Sequence, residues 1–173
     1  MKLLHTSDWH VGKQIRGNSR APEHRAVLQE VVGIAEREAV DLVVVAGDLF
    51  DTAAPAPESQ GIVYDTLLQL ARTGAEVAVI TGNHDNAHAM KVLRPLFGQC
   101  GVQVVSEPTR PADGGVRTFT TRDGTVVNLA FLPFVSKRGI VRAEQLMNDA
   151  AFDHSLAYAQ RLAQLIAALS GSF

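Results

Sequence analysis

Three short stretches of this chain hold the side chains able to bind a metal ion or move a proton, and they share one layout. Ser7-Asp8-Trp9-His10, Gly47-Asp48-Leu49-Phe50-Asp51 and Gly82-Asn83-His84-Asp85 each follow an apolar run with carboxylate, imidazole or amide donors. Asp8 and His10 put two metal-competent groups on one loop, and an extended backbone there turns both toward one point. Alone the pair says little, because Asp8 equally suits a turn or a helix cap. Asp48 says more, since one carboxylate can bridge two cations about 3.5–4 Å apart, as two-metal hydrolases require. Asn83 offers an amide oxygen that holds a metal without adding negative charge to a site that must also receive phosphate. His84, next in the chain, points differently and is read as unmetallated, protonating a leaving oxygen or stabilising transition-state charge, with Asp85 near enough to orient its ring. The plainer reading of His84 is a capping or packed histidine. Asp51 is assigned to stabilising its loop outside direct ligation. Oxygen and imidazole donors without a thiolate suit Mn²⁺ first, with Fe and Zn as alternatives.

The elements that must position these groups can be read from periodicity. Leu42 to Ala46 is an apolar run with three valines, which suits a strand buried on both faces in a helix-covered parallel sheet. Polar ligands collect at the carboxyl ends of such strands. Segments starting at Lys2 and Glu76 repeat the plan and run into Asp8 and Asn83. Helices are expected from about Pro22 to Ala39, after a loop over Ala53–Pro57 up to the break at Gly74, and from Ala87 to Phe97, with a fourth strand at Val102–Val105. This alternation predicts an α/β fold with a mainly parallel sheet and right-handed crossovers. Val116–Thr121 and Thr125–Leu132 flank Arg122-Asp123-Gly124, a hairpin signal in which Asp-Gly supplies the positive φ angles of a tight turn, and these strands begin a second sheet. A loop over Pro133–Gly139 and a last helix from about Asp153 to Leu169, with Leu156, Leu162, Leu165, Ile166 and Leu169 on its apolar side, complete the pattern.

A length of 173 residues and 46% hydrophobic content suit one globular domain. No apolar run reaches the roughly 18 residues needed to cross a bilayer, and the chain opens on a strand rather than a leader, so a cytoplasmic protein is expected. The single cysteine, Cys100, is read as a buried core thiol. A net charge of -2 excludes a globally basic nucleic-acid binder and leaves room for a basic patch. Val11–Ala21 reads as an exposed loop carrying Lys13, Arg16 and Arg20, either simply solvated or supplying cations to a phosphodiester beside Asp8 and His10. Trp9 is read as a packed pocket wall, and His5, His24, His88 and His154 as ordinary histidines, with His88 close enough for substrate contact.

Ser-Asp-Trp-His-Val-Gly, Gly-Asp-Leu-Phe-Asp and Gly-Asn-His-Asp, in that order and each after an apolar strand, resemble the first three motifs of the calcineurin-like metallophosphoesterases. More narrowly, Leu-His-Thr-Ser-Asp-Trp-His and Gly-Asp-Leu-Phe-Asp-Thr resemble the nuclease subunits of bacterial SbcCD complexes. The resemblance implies a four-layer α-β-β-α sandwich, incomplete in this chain. It also implies that Asp8, His10 and Asp48 hold one Mn²⁺, that Asp48 and Asn83 hold a second, and that His84 is the catalytic histidine. The implied reaction is hydrolysis of phosphodiesters at DNA ends, in double-strand-break processing and hairpin cleavage, beside an SbcC-type ATPase. Such proteins dimerise through the helices after the second and third motifs, which here present Tyr64, Leu67, Leu68, Leu93 and Phe97; a core role for these side chains fits the pattern equally well.

The family's downstream histidines, one on a later strand and two in Gly-His-x-His, are missing, and after His88 only His154 follows, on a helix. The chain is therefore read as the N-terminal portion of one nuclease domain, with weak metal affinity and poor activity by itself. Uncovered apolar surface and a free sheet edge would favour self-association. Two other readings stand beside this one: a small-molecule phosphodiesterase, which shares the same three motifs, and a non-catalytic module that docks an ATPase.

Overall fold

The computed structural model describes residues 1–147 and 158–173. Strands β1 (Leu3–Thr6), β4 (Leu42–Ala46), β5 (Glu76–Ile80) and β6 (Val102–Val105) form one parallel sheet in that order. Between them run α1 (Ala21–Arg37), α2 (Pro57–Arg72) and α3 (Ala87–Gln99). Because strand order follows chain order, crossovers of one hand carry all three helices to the same face. Val43, Val45, Val77, Val79, Val102 and Val104 pack there against Leu28 and Val32 of α1, Ile62, Val63 and Leu67 of α2, and Met90 of α3.

The other face of the sheet is covered differently. Leu42, Ala78 and Val105 pack against Phe119 and Phe131, with Val127 and Leu129 at the margin. These come from the antiparallel hairpin of β7 (Val116–Thr120) and β8 (Val126–Ala130) and the residue after it. The layer order is thus helices, parallel sheet, second sheet, so β4 is covered on both sides as its valines require. At the tip only Gly124 has a positive φ, and Gly124 N–H donates to Thr121 O while Thr121 N–H donates to Thr125 O. That is a type I turn closed by a left-handed glycine rather than a turn with two positive φ angles. The reason lies in Asp123, whose carboxylate accepts from the Thr121 hydroxyl and Thr125 N–H and receives the N-terminal ammonium at 3.0 Å. These bonds, the Thr121 hydroxyl first, hold its carboxyl well below the usual carboxylate range.

Several sequence expectations need correction. The exposed loop after β1 contains a small antiparallel hairpin, β2 (Gln14–Ile15) and β3 (Asn18–Ser19), turning on Arg16 and Gly17 in left-handed conformations. Helix α4 (Gly139–Met147) was not expected; it packs with α5 (Tyr158–Ser170) through Ile140, Ala143 and Leu165. The proposed start of the last helix, with His154 and Leu156, lies outside the described residues. Ile166 faces solvent rather than the apolar side. Cys100 is exposed, because it caps the end of α3 where the chain leaves through Gly101.

Leu67 is fully buried and Phe97 nearly so, which makes them core residues and not a dimer surface. Tyr64, Leu68 and Leu93 pack partly buried against the same core, and Tyr64 meets Phe50 and Phe97 edge to face. On α3 the large apolar side chains that do face solvent are Val92 and Leu96. Leu67→Ala should accordingly cost roughly 2–5 kcal/mol of stability by urea denaturation. Its association state by sedimentation should match that of the unaltered chain.

Candidate metal centre

The centre is built from backbone before side chains. Beyond β1 and β4 the two loops run side by side: Asp8 N–H donates to Gly47 O, His10 N–H to Asp48 O, Val11 N–H to Leu49 O, and Asp51 N–H back to Val11 O. Asp8, His10 and Asp48 all lie in the left-handed region, at φ 55°, 44° and 53°. Non-glycine residues rarely sit there, and such strain persists only where surrounding bonds over-determine the conformation. The extended Asp-x-His expected from sequence is therefore replaced by two left-handed residues, which still deliver both side chains to one side.

The third loop closes against the second. His84 N–H donates to Asp48 Oδ1 at 3.0 Å, fixing the carboxylate. Gly47 has φ +87°, and a Cβ there would lie 2.6 Å from Gly82 N. A Cβ on Gly82 would overlap Asp48 itself, so both positions need glycine for the loops to approach. Asn86 then caps α3 by accepting from Ala89 N–H, and its amide reaches Ala53 O at 3.3 Å.

These contacts gather the donors. His10 Nε2 lies 3.8 Å from both Asp8 Oδ1 and Asp48 Oδ2, and its Nδ1 is 3.7 Å from Asp51 Oδ1. His10, Asp48 and His84 each offer an atom within 4.8 Å of the others, and the two imidazoles meet edge to face with centroids 4.8 Å apart. A spacing of 3.8 Å is too long for a hydrogen bond. It falls within the separation of two ligands on one ion bound at about 2.1 Å. His10 Nδ1 is buried without a hydrogen-bond partner. The donor set thus fits a divalent cation. His84, expected from sequence to point away from the ligands, stands among these donors. Asn83 is exposed on the same loop and lines an adjoining cleft.

The supporting groups differ from expectation in one important respect. Asp85 does not orient His84. Its carboxylate is buried and accepts from Phe50 N–H at 3.1 Å and Gly82 N–H at 2.8 Å, tying the third loop to the second. The His84 ring is instead held by the backbone carbonyl of Asp51, 2.8 Å from Nδ1. A carbonyl only accepts, so Nδ1 carries the proton and Nε2 is left for a cation or a substrate oxygen. A main-chain partner leaves no trace in residue type, which is why sequence reasoning missed it. It also missed Ser7, whose hydroxyl donates to Asp8 Oδ2 at 2.5 Å.

Around the centre, Trp9 is packed in the core and its indole N–H donates to the Thr6 hydroxyl, as a pocket wall should. His24 lines a cavity of about 230 Å³ with Asp8, Trp9 and Arg20. Burial, then Arg20, pushes its pKa down. Arg20 pairs with Glu23 at 3.8 Å, while Lys13 and Arg16 are exposed in the segment of the small hairpin. His5 and His88 are exposed, and His88 does not line the cleft beside Asn83.

Comparison with known proteins agrees with this arrangement. The family model for calcineurin-like phosphoesterase matches residues 1–162. The SbcD subunit of nuclease SbcCD from Escherichia coli (strain K12) is 32% identical over 149 residues, 86% of this chain and 36% of that protein. Its Bacillus subtilis (strain 168) namesake is 39% identical over 110 residues, 63% of this chain and 28% of its own length. The Rhodobacter capsulatus one is 36% identical over 116 residues, 66% of this chain and 29% of that protein. The chain therefore spans about a third of the length of the curated relatives it matches.

Because Asp85 holds two backbone donors, Asp85→Ala leaves both unpaired. It should lower stability by roughly 2–5 kcal/mol in urea denaturation. Mn²⁺ affinity by calorimetry should fall with it, since Gly82 and His84 then lose their fixed approach to Asp48.

Proposed function

The chain belongs to the calcineurin-like phosphoesterase family, and from that membership we propose that it is the N-terminal part of an SbcD-type nuclease subunit hydrolysing phosphodiesters at DNA ends. The observation that carries this reading is the convergence of His10, Asp48 and His84 within 4.8 Å, with Asp8 Oδ1 at 3.8 Å from His10. Asp8, His10 and Asp48 would hold one cation and Asp48 with Asn83 a second, with Mn²⁺ preferred by this oxygen-and-imidazole set. Bound there, the cations supply positive charge to phosphate oxygens and acidify water.

The chain's own residues supply the rest. Asp48 presents Oδ2 while Oδ1 is held by His84 N–H, so one carboxylate keeps a fixed aim. Asp51 O holds the His84 ring by Nδ1–H, and in the imidazolium form Nε2–H would donate to a phosphate oxygen or pass its proton to the leaving oxygen. Asn83 adds a neutral donor, which keeps net negative charge low where the phosphate must sit. Lys13, Arg16 and Arg20 would contact the DNA backbone as electrostatic positioning groups. The reading includes a cytoplasmic protein, an SbcC-type ATPase partner and a homodimer, whose contact on α3 would fall to exposed Val92 and Leu96.

In the full-length protein, Mn²⁺-dependent digestion of linear duplex DNA is expected, with a steep fall as salt rises. Asp48→Ala should abolish Mn²⁺ binding in calorimetry, and His84→Ala should slow turnover by about 10²- to 10⁴-fold. The 173-residue chain should be a much poorer nuclease. Salt-insensitive hydrolysis of small phosphodiesters, with DNA left intact, would instead establish a small-molecule enzyme. Retained function after Asp48→Ala would establish a docking module.

A further inference from the structure

A cleft of about 790 Å³ opens beside the metal centre and shares Gly82, Asn83 and Asp85 with its third loop. Its opposite wall carries Phe134, which is 52% exposed although Phe131 before it and Val135 after it are buried. This exposure is enforced. Phe134 N–H donates to Thr81 O at 2.9 Å, one residue before Gly82, and Val135 O accepts from the Tyr158 hydroxyl at 2.7 Å. The loop is thus tied to the sheet on one side and to α5 on the other, so the backbone that presents the ring to the cleft is fixed.

The charged part of the remaining lining carries a small basic excess. Lys91, Arg110 and Arg142 share the cleft with Glu107 and Asp85, and both Asp85 oxygens are already taken by backbone N–H groups. Glu107 is paired with Lys91 at 2.6 Å. A second cavity of about 440 Å³ shares Lys91, Glu107 and Arg110 and adds Arg94 and Asp113, extending the groove beyond the residues of the third loop. An exposed aromatic face at the head of a groove with arginines along it is an arrangement that receives single-stranded nucleic acid, base on ring and backbone along the cations.

We propose that Phe134 stacks a nucleobase of a single-stranded DNA end, while Arg142 and Arg110 carry the adjoining phosphates away from Asn83. This rests on the nuclease reading and adds the part of the substrate recognised beside the bond that breaks. Duplex DNA hides its base faces, so the site favours ends that are already unpaired or fray.

The test is equilibrium binding, by fluorescence anisotropy in EDTA, of an eight-nucleotide thymidine strand and of a matched strand with abasic sugars. The unaltered protein should prefer the base-bearing strand by about 5- to 100-fold. Phe134→Ala should bind both strands alike, and Phe134→Trp should keep the preference. Arg142→Ala should weaken both strands equally and flatten the salt dependence. An unchanged preference in Phe134→Ala, or no preference or no binding in the unaltered protein, overturns the proposal. Metal-dependent DNA hydrolysis that persists alongside such a result would leave the nuclease reading standing; its loss is a separate failure.

Discussion

The structure depends on the seam where the loop after β1 lies along the loop after β4. Four backbone hydrogen bonds between residues 8–11 and 47–51 hold three non-glycine residues in the left-handed region. Each such residue costs of the order of 1–3 kcal/mol by itself, and the seam offsets that cost by leaving the chain no other way to satisfy its amides. Asp8, His10 and Asp48 are the strained residues, so strain and donor placement have one cause. The strain turns each side chain out of the strand direction and toward a common point.

That seam needs a well-covered sheet beneath it. The ordered progression β1, β4, β5, β6 puts the three crossover helices on one face and leaves the other for the β7–β8 hairpin. With both faces sealed, polar groups are driven to the carboxyl rim, where backbone ladders end and loops begin. The hairpin is anchored at the opposite end by Asp123 to the N-terminal ammonium and by Arg122 to Val40 O and Thr73 O. The rim is therefore free to carry a site while the base of the sheet is closed.

Charge is controlled through the same kind of backbone contact. Asp85 would be an extra negative charge beside a site for phosphate, and two amide donors offset its influence while using it as a tether. Asp48 gives one oxygen to a peptide N–H and keeps the other for the site. The carbonyl of Asp51 orients His84 without adding charge at all. The basic residues stand back from the donors, on the hairpin before α1 and along the cleft lined by Arg110 and Arg142.

Local pattern was enough to read the parallel sheet, its three crossover helices, the second sheet and the three loops that meet at the rim. Each of those rests on periodicity or on a short local motif: Ser-Asp-Trp-His, Gly-Asp, Gly-Asn or the Asp-Gly of the hairpin. Position of partners from distant segments was not legible. Periodicity marks an apolar stripe without saying what covers it, so Leu67 and Phe97 read equally as surface or core until the sheet closed over them. The same is true of Asp85 against the Asp51 carbonyl, since only the folded chain decides which of two nearby acceptors a histidine meets. Residue type dictated what chemistry the rim can perform. Tertiary structure decided which groups face one another, because hydrogen bonds between loops some 36 residues apart in sequence depend on how the sheet stacks them.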